Sequence, residues 1–99
     1  MGTYKFEVKD DTLYLHINDG FYLPQRIRVA TEESPKVYIT TNNQDDLALR
    51  NYLPKLKGAR KLVDEIRPNY DEDPYGGRVQ RGTRPYQVWD LSEIFKKMI

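Results

Sequence analysis

The densest chemistry in the chain lies between Tyr75 and Tyr86, where Arg78, Arg81 and Arg84 recur every third residue. Guanidinium groups grip phosphate or carboxylate bidentately and a phenol ring stacks on a base. The segment therefore has the parts of a contact for nucleic acid or for an acidic partner. Side chains alternate across an extended strand, so a spacing of three sends successive arginines to opposite faces. A single basic ribbon then requires a turn or bulge, which Gly82 is placed to supply. Lys55, Lys57, Arg60 and Lys61 would widen the patch if their segment packed alongside. Asp71, Glu72 and Asp73 would neutralise it by ion pairing within the chain. The candidate binding residues are Tyr75, Arg78, Arg81, Arg84, Tyr86, Lys57 and Lys61.

Other chemistry is thinly supplied. The single histidine, His16, falls in a strand pattern opposite Leu13, Leu15 and Ile17, and reads as a surface residue without the partners of a triad or metal site. Gly76-Gly77 lacks the Lys-Ser/Thr of a phosphate loop. Asp71-Glu72-Asp73 offers oxygens to a hard cation, but Pro74-Tyr75-Gly76-Gly77 does not continue an EF-hand, and solvated acids paired with nearby arginines account for it. Asp45-Asp46 suits the positive end of a helix dipole. No catalytic residue, metal ligand or cofactor is assigned, and the expectation is a protein that is not an enzyme.

Composition narrows the class. In 99 residues, 31% are charged and the net charge is only +1, so nucleic acid or an anionic membrane would have to be met by a local patch. Cysteine is absent, which removes disulfides, thiolate zinc sites and cysteine nucleophiles. Apolar runs are too short for a spanning helix, and Met1 to Lys5 lack the apolar core of a signal peptide, so no membrane is expected and the location expected is intracellular. Dense charge without cysteine also leans toward thermostability.

The elements that must position these residues can be read in order. Tyr4, Phe6 and Val8, then Leu13, Leu15 and Ile17, alternate with polar residues and predict two strands of a hairpin turning at Asp10-Asp11. Asn18-Asp19-Gly20 predicts the next turn. Ile27 with Val29, and Val37 to Thr40, predict two more strands. Asn42 and Asn43 with the acids behind them predict a helix start. Leu49, Tyr52, Leu53 and Leu56 keep helical spacing, with a break at Pro54. Ala59, Leu62, Val63 and Ile66 then read as the stripe of a second helix that Pro68 ends. Residues 67 to 86 have no periodicity and read as a long loop, unless Val79 and Tyr86 to Trp89 form short strands around Gly82. Asp90-Leu91-Ser92-Glu93 resembles a capping box before Ile94, Phe95 and Met98. The expected fold is one α+β domain over residues 1 to 99. It has an antiparallel sheet of about four strands in the N-terminal half, a kinked helix pair in the centre, a long loop and a C-terminal helix.

The whole-chain character, cysteine-free with dense mixed charge and eight tyrosines and ending on Asp90 to Ile99, resembles the small conserved proteins of archaeal filamentous and rod-shaped viruses, the lipothrixviruses and rudiviruses. That resemblance implies a heat-tolerant viral protein made in the host cytoplasm, and it carries over no functional residue. Tyrosine gives large contact area with a polar tip, so the leading expectation is an interaction protein that binds another protein or itself as a dimer around residues 75 to 89. The alternative is a nucleic-acid binder using the same arginines, and third comes an enzyme using Asp71 or Asp73 with a divalent ion.

Overall fold

A computed structural model describes residues 2–18, 24–72 and 74–97. The fold is mixed α+β, with two antiparallel three-stranded sheets among the described residues. The first is the expected meander of β1 (Thr3–Lys9), β2 (Thr12–Asn18) and β3 (Gln25–Thr31), in that order. The β1–β2 register pairs Phe6 with Leu15 and Val8 with Leu13, which puts one apolar row on one face. Asp10 takes a positive φ of 58° in the connecting turn, a conformation that aspartate tolerates better than most residues. Residues 19–23, which include most of the second expected turn, lie outside the described residues.

The fourth expected strand forms but does not join this meander. β4 (Lys36–Ile39) pairs with β6 (Arg78–Asp90), which pairs on its other side with β5 (Arg60–Glu72). Val37 and Ile39 are buried while Lys36 and Tyr38 are exposed. The apolar face of β4 thus closes over the core from a second sheet, and the Pro35 carbonyl accepts from Leu91 N–H at 2.9 Å to fix its start.

The central region corrects the sequence reading. Helix α1 runs over Gln44–Tyr52, capped by Asn43, whose side-chain oxygen accepts from Asp46 N–H at 2.8 Å. A 3-10 turn at Leu53–Lys55, with Pro54 in its first turn, then ends the helical segment. No second helix follows in the centre: of the residues read as its stripe, Leu62, Val63 and Ile66 belong to β5 and Ala59 lies just before it. Gly58, at φ +99° in the turn before that strand, explains the difference, because a side chain there is strained and a Cβ would stand 3.3 Å from Ile94. The expected loop of residues 67 to 86 is likewise mostly hairpin, with Pro68 paired to Thr83 inside it. At the C-terminal end, α2 spans Ser92–Lys96, with the Asp90 carboxylate accepting from Ser92 N–H at 2.9 Å; Met98 lies outside the described residues.

The core joins both sheets to α1. Leu13, Leu15 and Ile27 from the first sheet meet Ile39 and Trp89 from the second, with Leu49, Leu53, Leu91 and Phe95 between them. Leu15, Ile39, Leu53 and Leu91 are fully enclosed. The Asp46 carboxylate accepts from Thr40 and Thr41 N–H and from the Thr41 hydroxyl at 2.9–3.1 Å, fastening α1 to the end of β4.

Candidate functional site: a two-stranded arm

β4 covers only the last four residues of β6, from Gln87 to Asp90, so most of the hairpin, whose two strands are thirteen residues each, runs on alone. The molecule measures 55 × 33 × 19 Å with a radius of gyration of 16.2 Å. A compact chain of this length has about 13 Å, and the projecting arm accounts for the excess.

Proline explains both where the sheet stops and how the arm stays separate. Leu91 N–H donates to the β4 side, and the Thr83 carbonyl accepts from Asn42 on that same side. Alternation along β6 therefore points the Pro85 nitrogen toward β4, where it has no proton to donate and the ladder ends. Pro68 faces Thr83 in a pair whose backbone polar groups both point away from the hairpin, so its missing N–H falls on the open edge of β5. Each edge of the arm carries a proline that blunts strand addition.

Two bulges set the faces. Lys61 pairs with Trp89 and Val63 with Val88, leaving Leu62 extra; further out Pro68 pairs with Thr83 and Tyr70 with Gln80, so Arg81 and Gly82 together oppose Asn69. Gly82 supplies the positive φ of 94°. The second bulge shifts the alternation by one, and Arg81 and Arg84 come to the same face although they are three apart. Arg67 and Tyr86 share that face, with the guanidinium of Arg67 3.5 Å from the Tyr86 ring centroid. The arginines there are already partnered. Arg67 meets Glu65 at 3.1 Å, Arg81 meets Asp71 at 3.3 Å, and Arg84 donates to the Thr40 carbonyl at 3.5 Å.

The opposite face carries Ile66, Pro68 and Tyr70 along β5, two residues apart and exposed, with Ile66 at 74% and Tyr70 at 55%. Nearer the body this face continues into a polar chain. Lys61 donates to Asp64 at 2.8 Å, Gln87 donates to the other Asp64 oxygen at 3.1 Å, and Trp89 donates to Gln87 at 3.0 Å. The Lys61 ammonium and then the Gln87 amide hold the Asp64 carboxyl below its ordinary value of 3.8.

The seven sequence candidates do not form one patch. Arg81, Arg84 and Tyr86 share a face; Arg78 pairs in register with Glu72, on the other face near the tip. Tyr75 is 95% exposed at the tip turn. Lys57 lies in the turn before β5 and Lys61 beside Trp89, eleven residues down β5 from the Arg78 pairing and so roughly 35 Å from it. A helix packed alongside would bring the lysines to the arginines; the strand that forms instead keeps them at its far end. Asp73 lies outside the described residues, and among those described no group of three histidine or acidic side chains converges as a metal site. The apolar stripe was legible in part: Ile66 and Tyr70 flank Pro68 with a period of two. Among the described residues no helix is long and apolar enough to cross a membrane. No protein-family model, curated protein or solved structure matches the chain.

Proposed function

We propose that the chain is a non-catalytic interaction protein whose arm docks face-on against a second copy of itself through Ile66, Pro68 and Tyr70. The observation that carries this reading is the exposed apolar stripe on a ribbon open on both sides, since a lone two-stranded ribbon is marginal in water and gains most from a surface that covers it. The prolines at both edges disfavour strand addition and leave face packing. A stripe of this kind is self-complementary about a two-fold axis, and on the opposite face Arg67 and Arg81 are already paired with Glu65 and Asp71 while Arg84 donates to the Thr40 carbonyl. The same ion pairs weigh against the arm as a phosphate-binding ribbon.

The test is sedimentation equilibrium on the chain and on the double variant Ile66→Asp, Tyr70→Ser. A concentration-dependent dimer that the variant abolishes, with its circular dichroism retained, is expected. A strict monomer, or a dimer untouched by the variant, overturns the reading.

A further inference from the structure

Two arginines without an acidic partner among the described residues, Arg26 and Arg28, stand side by side on the first sheet, away from the arm. One face of that sheet is packed into the core through Leu13, Leu15 and Ile27. On its other face the register sets Glu7, Tyr14 and Arg28 in one row and Lys5, His16 and Arg26 in the next. Tyr14 and His16 are neighbours on the central strand, with ring centroids 6.4 Å apart. Lys5, Arg26 and Arg28 are exposed around them, and among the described residues neither arginine has a carboxylate partner. Arg26 instead lies over the Tyr14 ring at 4.9 Å. The single acid, Glu7, is taken up by His16 at 3.2 Å and Lys5 at 3.9 Å. The grid carries two net positive charges with His16 neutral, where the whole chain carries one. Acids from the β1–β2 turn stand at the far end of the sheet, beyond Lys9. A hollow of about 300 Å³ opens beside Lys5, His16 and Arg26.

We propose that this open sheet face is a binding site for single-stranded nucleic acid. Two rings on a central strand offer flat surfaces to successive bases, and flanking cations follow the phosphates. The Tyr14 face that now receives a guanidinium accepts a base equally well, and Arg26 is then free to meet the adjoining phosphate. A duplex keeps its bases stacked inside and cannot use the rings, so the site prefers single strands. An acidic protein or an anionic membrane would use the cations but not the rings.

The experiment is fluorescence anisotropy of a labelled mixed-sequence single-stranded oligonucleotide with the full chain, alongside duplex DNA and phosphatidylserine vesicles. Single-strand binding is expected, with a logarithmic salt slope of about −2 for three phosphate contacts. Arg26→Ser with Arg28→Ser should cut that slope by more than half. Tyr14→Ala should weaken affinity about ten-fold and Tyr14→Phe restore it. Glu7→Gln, which removes the one negative charge, should tighten binding. Absence of binding, equal binding to duplex or vesicles, or indifference to both the Tyr14 and the Arg26/Arg28 variants overturns the proposal. Ile66→Asp with Tyr70→Ser serves as the control and should leave this binding unchanged whatever it does to self-association.

Discussion

On the arm, Arg67 and Arg81 lie against Glu65 and Asp71 and the strands have water on both faces; on the first sheet, one face is sealed in the core while Arg26 and Arg28 on the other have no acidic partner among the described residues. Both regions are antiparallel strands of similar composition. The difference lies in what each leaves unsatisfied. The arm has paired Arg67 and Arg81 with acids and leaves apolar area uncovered, at Ile66, Tyr70 and Val79. The sheet has buried its apolar area and leaves charge unmatched. An arginine count treats the two alike, but a guanidinium already paired must give up its carboxylate before it can hold a phosphate. Surface chemistry in this protein is thus divided between a region suited to hydrophobic docking and a region suited to anions.

The largest expected effect separates body from arm. Leu53 is fully buried where α1 passes into the 3-10 turn, so Leu53→Ala should cost about 2–5 kcal/mol in urea unfolding. Val79→Ala on the arm removes a side chain that is 43% exposed and should change the monomer by no more than about 0.5 kcal/mol. Comparable losses at both positions would break the distinction, since the arm would then unfold as part of the core.

Much of the body was legible because its strands are half-buried. Leu13, Leu15 and Ile17 alternate with polar residues, and alternation is what a sheet with one wet face requires. Asn43 announced α1 for an equally local reason, the need of the first helical N–H groups for an acceptor. The arm hid itself for the opposite reason. With both faces in water nothing enforces alternation, and the bulge at Arg81-Gly82 breaks whatever period remains. The bulge at Leu62 did more harm: it adds an apolar residue directly before Val63, and with Ala59 and Ile66 the pair imitates the stripe of a helix. Gly58 is the signal the sequence does carry, since a glycine four residues after Pro54 argues against a continuous helix. The open face of the first sheet is not legible in the sequence because its grid is assembled from three strands. Tyr14 and His16 are two apart in sequence, but Arg26 and Arg28 reach them only through the register of β3.

A mid-sized effect probes the bulge that gives the arm its faces. Gly82 sits at φ +94° with open space where a Cβ would go, so Gly82→Ala meets no clash and pays only for the backbone, about 1–2 kcal/mol. That cost should fall on the arm. Amide exchange of residues 78–83 should quicken while residues 87–90, held on both sides by β4 and β5, keep their protection. Uniform acceleration along all of β6 would show instead that the two halves of the hairpin open together.

The smallest effect concerns the join between the two halves, where Asp64 receives Lys61 and Gln87. Its folded carboxyl titrates below 3.8, so whatever stability it contributes is fully present above the unfolded value and disappears as pH falls through the lower folded one. Asp90 shifts the same way, because the Ser92 backbone N–H and hydroxyl favour its charged form. Thermal unfolding of the chain and of Asp64→Asn, followed from neutral pH downward, should show two curves separated at neutrality that converge toward the acid end. The effect is small because the pair is well exposed to solvent, and added salt should narrow the neutral gap. A gap that persists undiminished below the folded titration would assign the loss in Asp64→Asn to the geometry of the amide rather than to charge. The link from Lys61 to Trp89 would then be a neutral hydrogen-bond chain, fastening the arm to the body without any help from electrostatics.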